Sequence, residues 1–157
     1  MRFFLPVFFI LLLVGSLPVF AADERIGFPV DHSFLPKSWI AEPIAARIEP
    51  LEANHQNAAK RIISRALAKY PPGILDQFLE GVQIVGSLKF YNVGYGGTYM
   101  ANGRQVVLVY RPTFDPRGFE QRFHHEFASI LLKKNEDIFD GDRWRQSNSK
   151  TFSYRAG

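Results

Sequence analysis

The chain contains no cysteine. No disulfide can hold it together, and no thiolate can bind metal or act as a nucleophile. Its fold must therefore rest on an apolar core and hydrogen bonds alone. That constraint is strict here because the N-terminus reads as an export signal. Residues 1–20 carry a single charge, Arg2, followed by an apolar run over 3–14 and shorter side chains at Val19 and Ala21. Cleavage is expected after Ala21, with residues 1–21 as the signal peptide and an exported product in the periplasm or beyond. No further apolar run is long enough for a span, so no stable membrane span is expected after cleavage. The remaining length suits one domain, and a hydrophobic fraction of 46% is ample for a core.

The formal net charge of +4 is modest, and lysine and arginine are scattered along the chain. They read as ordinary solvated positions, and no nucleic-acid partner is expected.

Hydrophobic spacing divides the rest. Residues 22–50 hold Pro29, Pro36, Pro43 and Pro50 among Phe28, Phe34, Leu35, Trp39 and Ile40, which predicts an extended arm draped over the domain. The domain itself is assigned to residues 51–157. Over 51–69, Leu51, His55, Ala58, Ile62, Ala66 and Lys69 recur at helical spacing, with Ile63 and Leu67 widening the stripe. Tyr70-Pro71-Pro72-Gly73 ends that helix, and a short second one fits 74–80. A strand is expected over 82–91, with a bulge at Gly86. Asn102-Gly103 lies between the runs 98–100 and 106–110 and signals a hairpin. The sheet should be small and mostly antiparallel. Gly94 to Gly97 lack the helix and lysine of a phosphate loop and read as turn glycines.

The most informative element is the helix opened by Asp115-Pro116, an N-cap followed by proline at the first helical position. It should run over Pro116–Lys134, with Lys133 and Lys134 complementing its dipole. At about 100° per residue, Phe119, Phe123, Phe127, Ile130 and Leu131 share one face, expected to be the core. His125, Glu126 and Ser129 fall on the other side, with Arg122 and Lys133 on the same arc, and His124 lies at the border. His55 reads as structural and His32 as incidental. The polar tail has Phe139, Trp144, Phe152 and Tyr154 as candidate anchors.

His125-Glu126 matches the first half of the His-Glu-x-x-His pattern, in which two imidazoles one turn apart hold zinc and the glutamate deprotonates a bound water. Ser129 stands where the second histidine would be. The blocks Tyr70-Pro71-Pro72-Gly73, Tyr95-Gly96-Gly97-Thr98-Tyr99 and Phe123-His124-His125-Glu126-Phe127-Ala128-Ser129-Ile130-Leu131 resemble those of exported bacterial zinc-binding metallopeptidase-like proteins, over about residues 48–155. The resemblance implies a zincin-like α+β fold: leading helices, a small sheet, and the motif helix packed on it. It implies His125 as a metal ligand, Glu126 as the general base, zinc as the cofactor, and a peptide or protein as substrate or partner; the tandem of imidazoles makes His124 a further candidate ligand. It also places residues 94–97 near the edge strand that aligns a peptide.

The chain departs from the pattern at Ser129, a poor zinc ligand. It departs again at Asn135, where some relatives carry a third histidine. The later carboxylates Glu136, Asp137, Asp140 and Asp142 have no spacing that requires a metal role. Two functions follow from these residues: a metallopeptidase that hydrolyses peptides through a metal-activated water, and an inactive relative that serves as an envelope binding or scaffolding domain.

Overall fold

A computed structural model describes residues 22–113, 115–137, 142, 143 and 146. Residues 1–21, read above as a signal segment, Asp140 and the candidate anchors Phe139, Trp144, Phe152 and Tyr154 lie outside the described residues. After a 3-10 turn at Ala22–Arg25 come β1 (Ile26–Gly27), α1 (Lys37–Ile40), β2 (Arg47–Pro50), α2 (Ala53–Leu67) and α3 (Pro72–Phe78). Then follow β3 (Gly81–Phe90), β4 (Val93–Gly94), β5 (Gly97–Met100), β6 (Gln105–Val109) and α4 (Pro116–Lys134). Among the described residues the architecture is α+β, an open six-stranded sheet with the four helices α1 to α4.

The sheet is mixed, which corrects the expectation of a mostly antiparallel one. The central strand β3 pairs in parallel with β1 and β6, and antiparallel with β2 and β4. β5 is antiparallel to β6 and forms the edge. The parallel β3–β6 pair arises because the chain leaves β3, makes the β4 and β5 strands, and re-enters beside β3 in the same direction. Periodicity cannot reveal this, since both kinds of strand alternate with period two.

The two sheet faces are buried differently. On one, Val82, Ile84, Val106 and Leu108 meet Ile63, Ala66 and Leu67 of α2, Leu75 of α3, and Phe119, Phe123, Phe127 and Ile130 of α4. On the other, Val85, Leu88, Phe90, Met100, Val107 and Val109 are covered by residues 34–48 of the proline-rich segment, through Phe34, Leu35, Trp39, Ile40, Ile44, Ala46 and Ile48. Those residues carry α1 and part of β2, so the segment is more structured than an extended arm. In α2 the buried stripe is centred on Ala59, Ile63 and Ala66, and Lys69, placed in the stripe by spacing, is exposed and paired with Glu120.

Gly86 is the bulge. Glu49 opposes Ser87 while the next residue, Pro50, opposes Val85. The extra residue shifts the alternation, so Ile84 faces the helices while Leu88 and Phe90 face residues 34–48. A Cβ on Gly86 would lie 2.7 Å from the Pro50 carbonyl oxygen. Gly86→Ala is therefore expected to lower stability by ~1–3 kcal/mol, read as a reduced urea midpoint at constant slope.

The Asn102-Gly103 hairpin forms between β5 and β6, but with a four-residue turn whose left-handed residue is Arg104, at φ 49°. Arg104 is held there from the C-terminal side of α3: its carbonyl accepts from Glu80 N at 2.7 Å and its guanidinium donates to the Gln77 carbonyl at 3.0 Å.

Candidate functional site

The helix α4 has the predicted bounds. Asp115 caps it by accepting from Arg117 N at 3.2 Å. Phe119, Phe123, Phe127 and Ile130 are buried as the spacing requires. With these four against the sheet, the flanks of the helix have opposite surroundings. Arg122 and Glu126, one turn apart, lie beside β5. Glu120 and His124, also one turn apart, lie beside the end of α2. His125 points away from both and is exposed.

The tandem histidines are thus separated by the helix's own geometry, about 100° between successive residues. His124 Nδ1 lies 2.8 Å from the Tyr70 hydroxyl, and its Nε2 lies 3.5 Å from Glu120 Oε1. The contacts are satisfied when Tyr70 donates to Nδ1 and Nε2–H faces the carboxylate. Lys69 Nζ meets the same carboxylate oxygen at 2.5 Å. The lysine holds Glu120 below the usual carboxylate range, with His124 adding to the effect and burial opposing it. Tyr70 also sets its ring edge-to-face on Phe127 at 5.0 Å and on Phe123 at 6.1 Å. Burial pushes its phenol above the ordinary value. This polar cluster ties the end of α2 to α4. Sequence reasoning did not assign Lys69, Tyr70 or Glu120 to it; the available signal was an aromatic fixed by two prolines directly after a helix.

On the other flank, Glu126 is half-buried against β5 rather than standing on the solvent side. A Cβ on Gly97 would lie 3.3 Å from Glu126 Oε1, and one on Gly96 would overlap the Arg122 guanidinium. The two glycines therefore let α4 lay a carboxylate and a guanidinium onto the strand backbone. Burial raises the Glu126 carboxyl above its ordinary value, with His125 and Arg122 partly opposing the shift.

The strand beneath them has an open edge. Val109 N donates to the Gly96 carbonyl at 2.9 Å, so the antiparallel alternation turns Thr98 and Met100 toward β6 and directs the N–H and C=O groups of Gly97 and Tyr99 outward. Among the described residues no strand pairs with that edge. The site is thus a short unpaired strand edge with Glu126 and Arg122 on its helix side.

Ser129 is turned into its own helix: its hydroxyl donates to the His125 carbonyl at 3.1 Å. Asn135 likewise donates its side-chain amide to the Leu131 carbonyl at 2.7 Å. Among the described residues no three histidine, cysteine, aspartate or glutamate side chains converge as a metal site. The donor set around Glu126 does not fit the zinc that the family resemblance implies. Among the described residues His125 and Glu126 have no third donor, and His124 is engaged on the other flank.

Among the described residues no helix is long and apolar enough to cross a membrane. Comparison of the chain with protein-family models, with curated proteins and with solved structures finds no match.

Proposed function

We propose that this is an exported binding domain that captures an extended peptide segment along the outer edge of β5, beside Glu126, without hydrolysing it. It corresponds to the inactive relative among the two functions read from the sequence. The observation that carries the proposal is the half-buried Glu126 carboxylate held against Gly97, on a strand whose outward N–H and C=O groups have no strand partner among the described residues. A peptide added as a further strand gains main-chain hydrogen bonds from Gly97 and Tyr99. Glu126 then offers an acceptor to a peptide N–H or a cationic side chain. The reading of Ser129 and His124 as bound to protein partners supports capture over hydrolysis.

Glu126→Gln is the test, because it changes little in shape. Binding of basic extended peptides, followed by calorimetry against an unstructured peptide library, is expected to weaken at least about tenfold, since a hydrogen bond to a charged group contributes ~1.5–3 kcal/mol. Stability should move the other way. A carboxyl raised in the folded state binds protons more readily than in the unfolded chain, so stability falls as pH rises from the ordinary carboxyl value through the raised one. The Gln variant loses that fall and should melt higher than the parent at neutral pH. Weaker binding together with a higher melting temperature separates a lost contact from a lost fold. Unchanged peptide affinity would refute the site.

The metallopeptidase reading has one observation in its favour, the raised Glu126 carboxyl, a property suited to a general base. Zinc titration of the chain decides between the two. Capture predicts no stoichiometric uptake by the parent chain. Stoichiometric zinc, lost in His125→Ala and accompanied by peptide cleavage, would replace capture with hydrolysis.

A further inference from the structure

A second surface lies at the opposite end of the sheet from α3, where β3 turns into β4. Tyr91, Val93 and Tyr95 are exposed by 57%, 57% and 44%, three of the large apolar side chains most exposed among the described residues, and they fall within five positions. The turn between the strands holds Tyr91 at φ 52° and Asn92 at φ 60°. Both are left-handed, as a tight two-residue hairpin requires. Asparagine tolerates that conformation, whereas an aromatic residue is disfavoured there. An aromatic side chain is thus held in a disfavoured backbone pose and left more than half exposed.

A second, separate observation concerns charge. Arg47 of β2 and Lys89 of β3 are directly opposed across the antiparallel pair. Like charges in that position repel. Both are exposed, and neither is ion-paired among the described residues. They share a cleft with Tyr91 and Asn92, in which Glu42 is the one carboxylate among the lining residues. On the opposite side of the hairpin, Val93 opposes Phe90, and Tyr95 packs edge-on against the Phe90 ring at 5.2 Å. The tip therefore carries tyrosines and a valine outward, with two adjacent cations just behind.

We propose that this hairpin tip docks on a membrane surface rich in anionic phospholipids. Tyr91, Val93 and Tyr95 enter the headgroup layer, where a ring with a polar end is well placed, and Arg47 with Lys89 meets lipid phosphate. The repulsion between the two cations is relieved by an anion set between them, and the apolar area at the tip is covered by the lipid. This contact is independent of the peptide edge at β5. It would hold the domain against the membrane by its hairpin.

The full chain is placed with vesicles of phosphatidylcholine alone or mixed with phosphatidylglycerol, and amide hydrogen exchange is followed over residues 89–96. Any contact made by residues 1–21 is then present in every sample. With anionic vesicles, exchange at the tip is expected to slow by roughly tenfold relative to neutral vesicles, given two basic residues close to a charged surface, and added salt should reverse the effect. Arg47→Gln combined with Lys89→Gln should abolish the lipid dependence. Tyr91→Asn suits the left-handed turn, so it should melt no lower than the parent while losing most of the protection. Equal exchange on both vesicles overturns the proposal, as does protection that persists in the double variant. Protection by inorganic phosphate without lipid would also overturn it, by showing a free-anion site.

Discussion

Phe123→Ala is expected to lower the unfolding free energy by ~3–5 kcal/mol, the range for removing a fully enclosed aromatic ring. Phe123 is completely buried at the centre of α4. It stacks on Phe127 with centroids 5.8 Å apart and receives the edge of Tyr70 at 6.1 Å. Its removal opens a cavity between helix and sheet that the flanking rings cannot fill. Because α4 also carries Glu126 and His124 on its two flanks, the loss should loosen both at once. Urea denaturation followed by circular dichroism checks the magnitude. The control is His125→Ala, two positions on and exposed, expected to stay within ~0.5 kcal/mol of the parent. A Phe123→Ala change below about 1 kcal/mol would mean that α4 is not seated on the sheet through this ring.

Gly97→Val should remove peptide capture and cost stability together. A Cβ at this position would lie 3.0 Å from the Val107 carbonyl oxygen, 3.3 Å from Leu108 Cδ2 and 3.3 Å from Glu126 Oε1. The two methyl groups of valine need more room still. Either β5 shifts off β6 or Glu126 is driven from the strand, and either outcome takes the carboxylate away from the peptide edge. The expected cost is ~1–3 kcal/mol of stability, with peptide affinity reduced beyond the loss seen in Glu126→Gln. Thermal melting and calorimetry on the same preparation measure both. Gly94→Ala is the paired control, since a Cβ there meets nothing within 4 Å. Peptide affinity unchanged in Gly97→Val would place capture elsewhere than on β5.

The opposite flank contributes to the acid side of the stability profile. Glu120 is held low by Lys69, so its contribution is present above the ordinary carboxylate value and disappears as pH falls through its depressed one. Glu120→Gln should flatten that acid limb in a pH series of melting temperatures while leaving peptide affinity intact. Loss of peptide binding in this variant would show that the two flanks of α4 are coupled.

Much of the local structure was legible in the chain because it depends on short-range rules. Asp115-Pro116 sets the start of α4, the phenylalanine spacing sets its buried face, and the glycine at 86 marks a bulge because an extra residue there leaves no room for a side chain. Local patterning did not reveal the mixed sheet, since a strand alternates in the same way whether its neighbour runs parallel or antiparallel. It did not reveal the tight turn at Tyr91-Asn92 either, because the usual signal of asparagine followed by glycine sits one hairpin later, at Asn102-Gly103.

The candidate site divides along the same line. Helical phase alone determines that His124, His125 and Glu126 must point in different directions, so adjacency in the chain is not adjacency in space. Which of them meets a partner is a tertiary matter. Tyr70 and Glu120 claim His124 because the end of α2 packs on that flank. Glu126 becomes half-buried because Gly97, the first residue of β5, lets the helix close onto the strand. The sequence by itself determined α2, α4, the buried face of α4 and the departure at Ser129, since each follows from the covalent chain and its local geometry. Only the tertiary structure decided the strand directions, the open edge and the partners of each titratable group, since these depend on contacts between residues far apart in the chain.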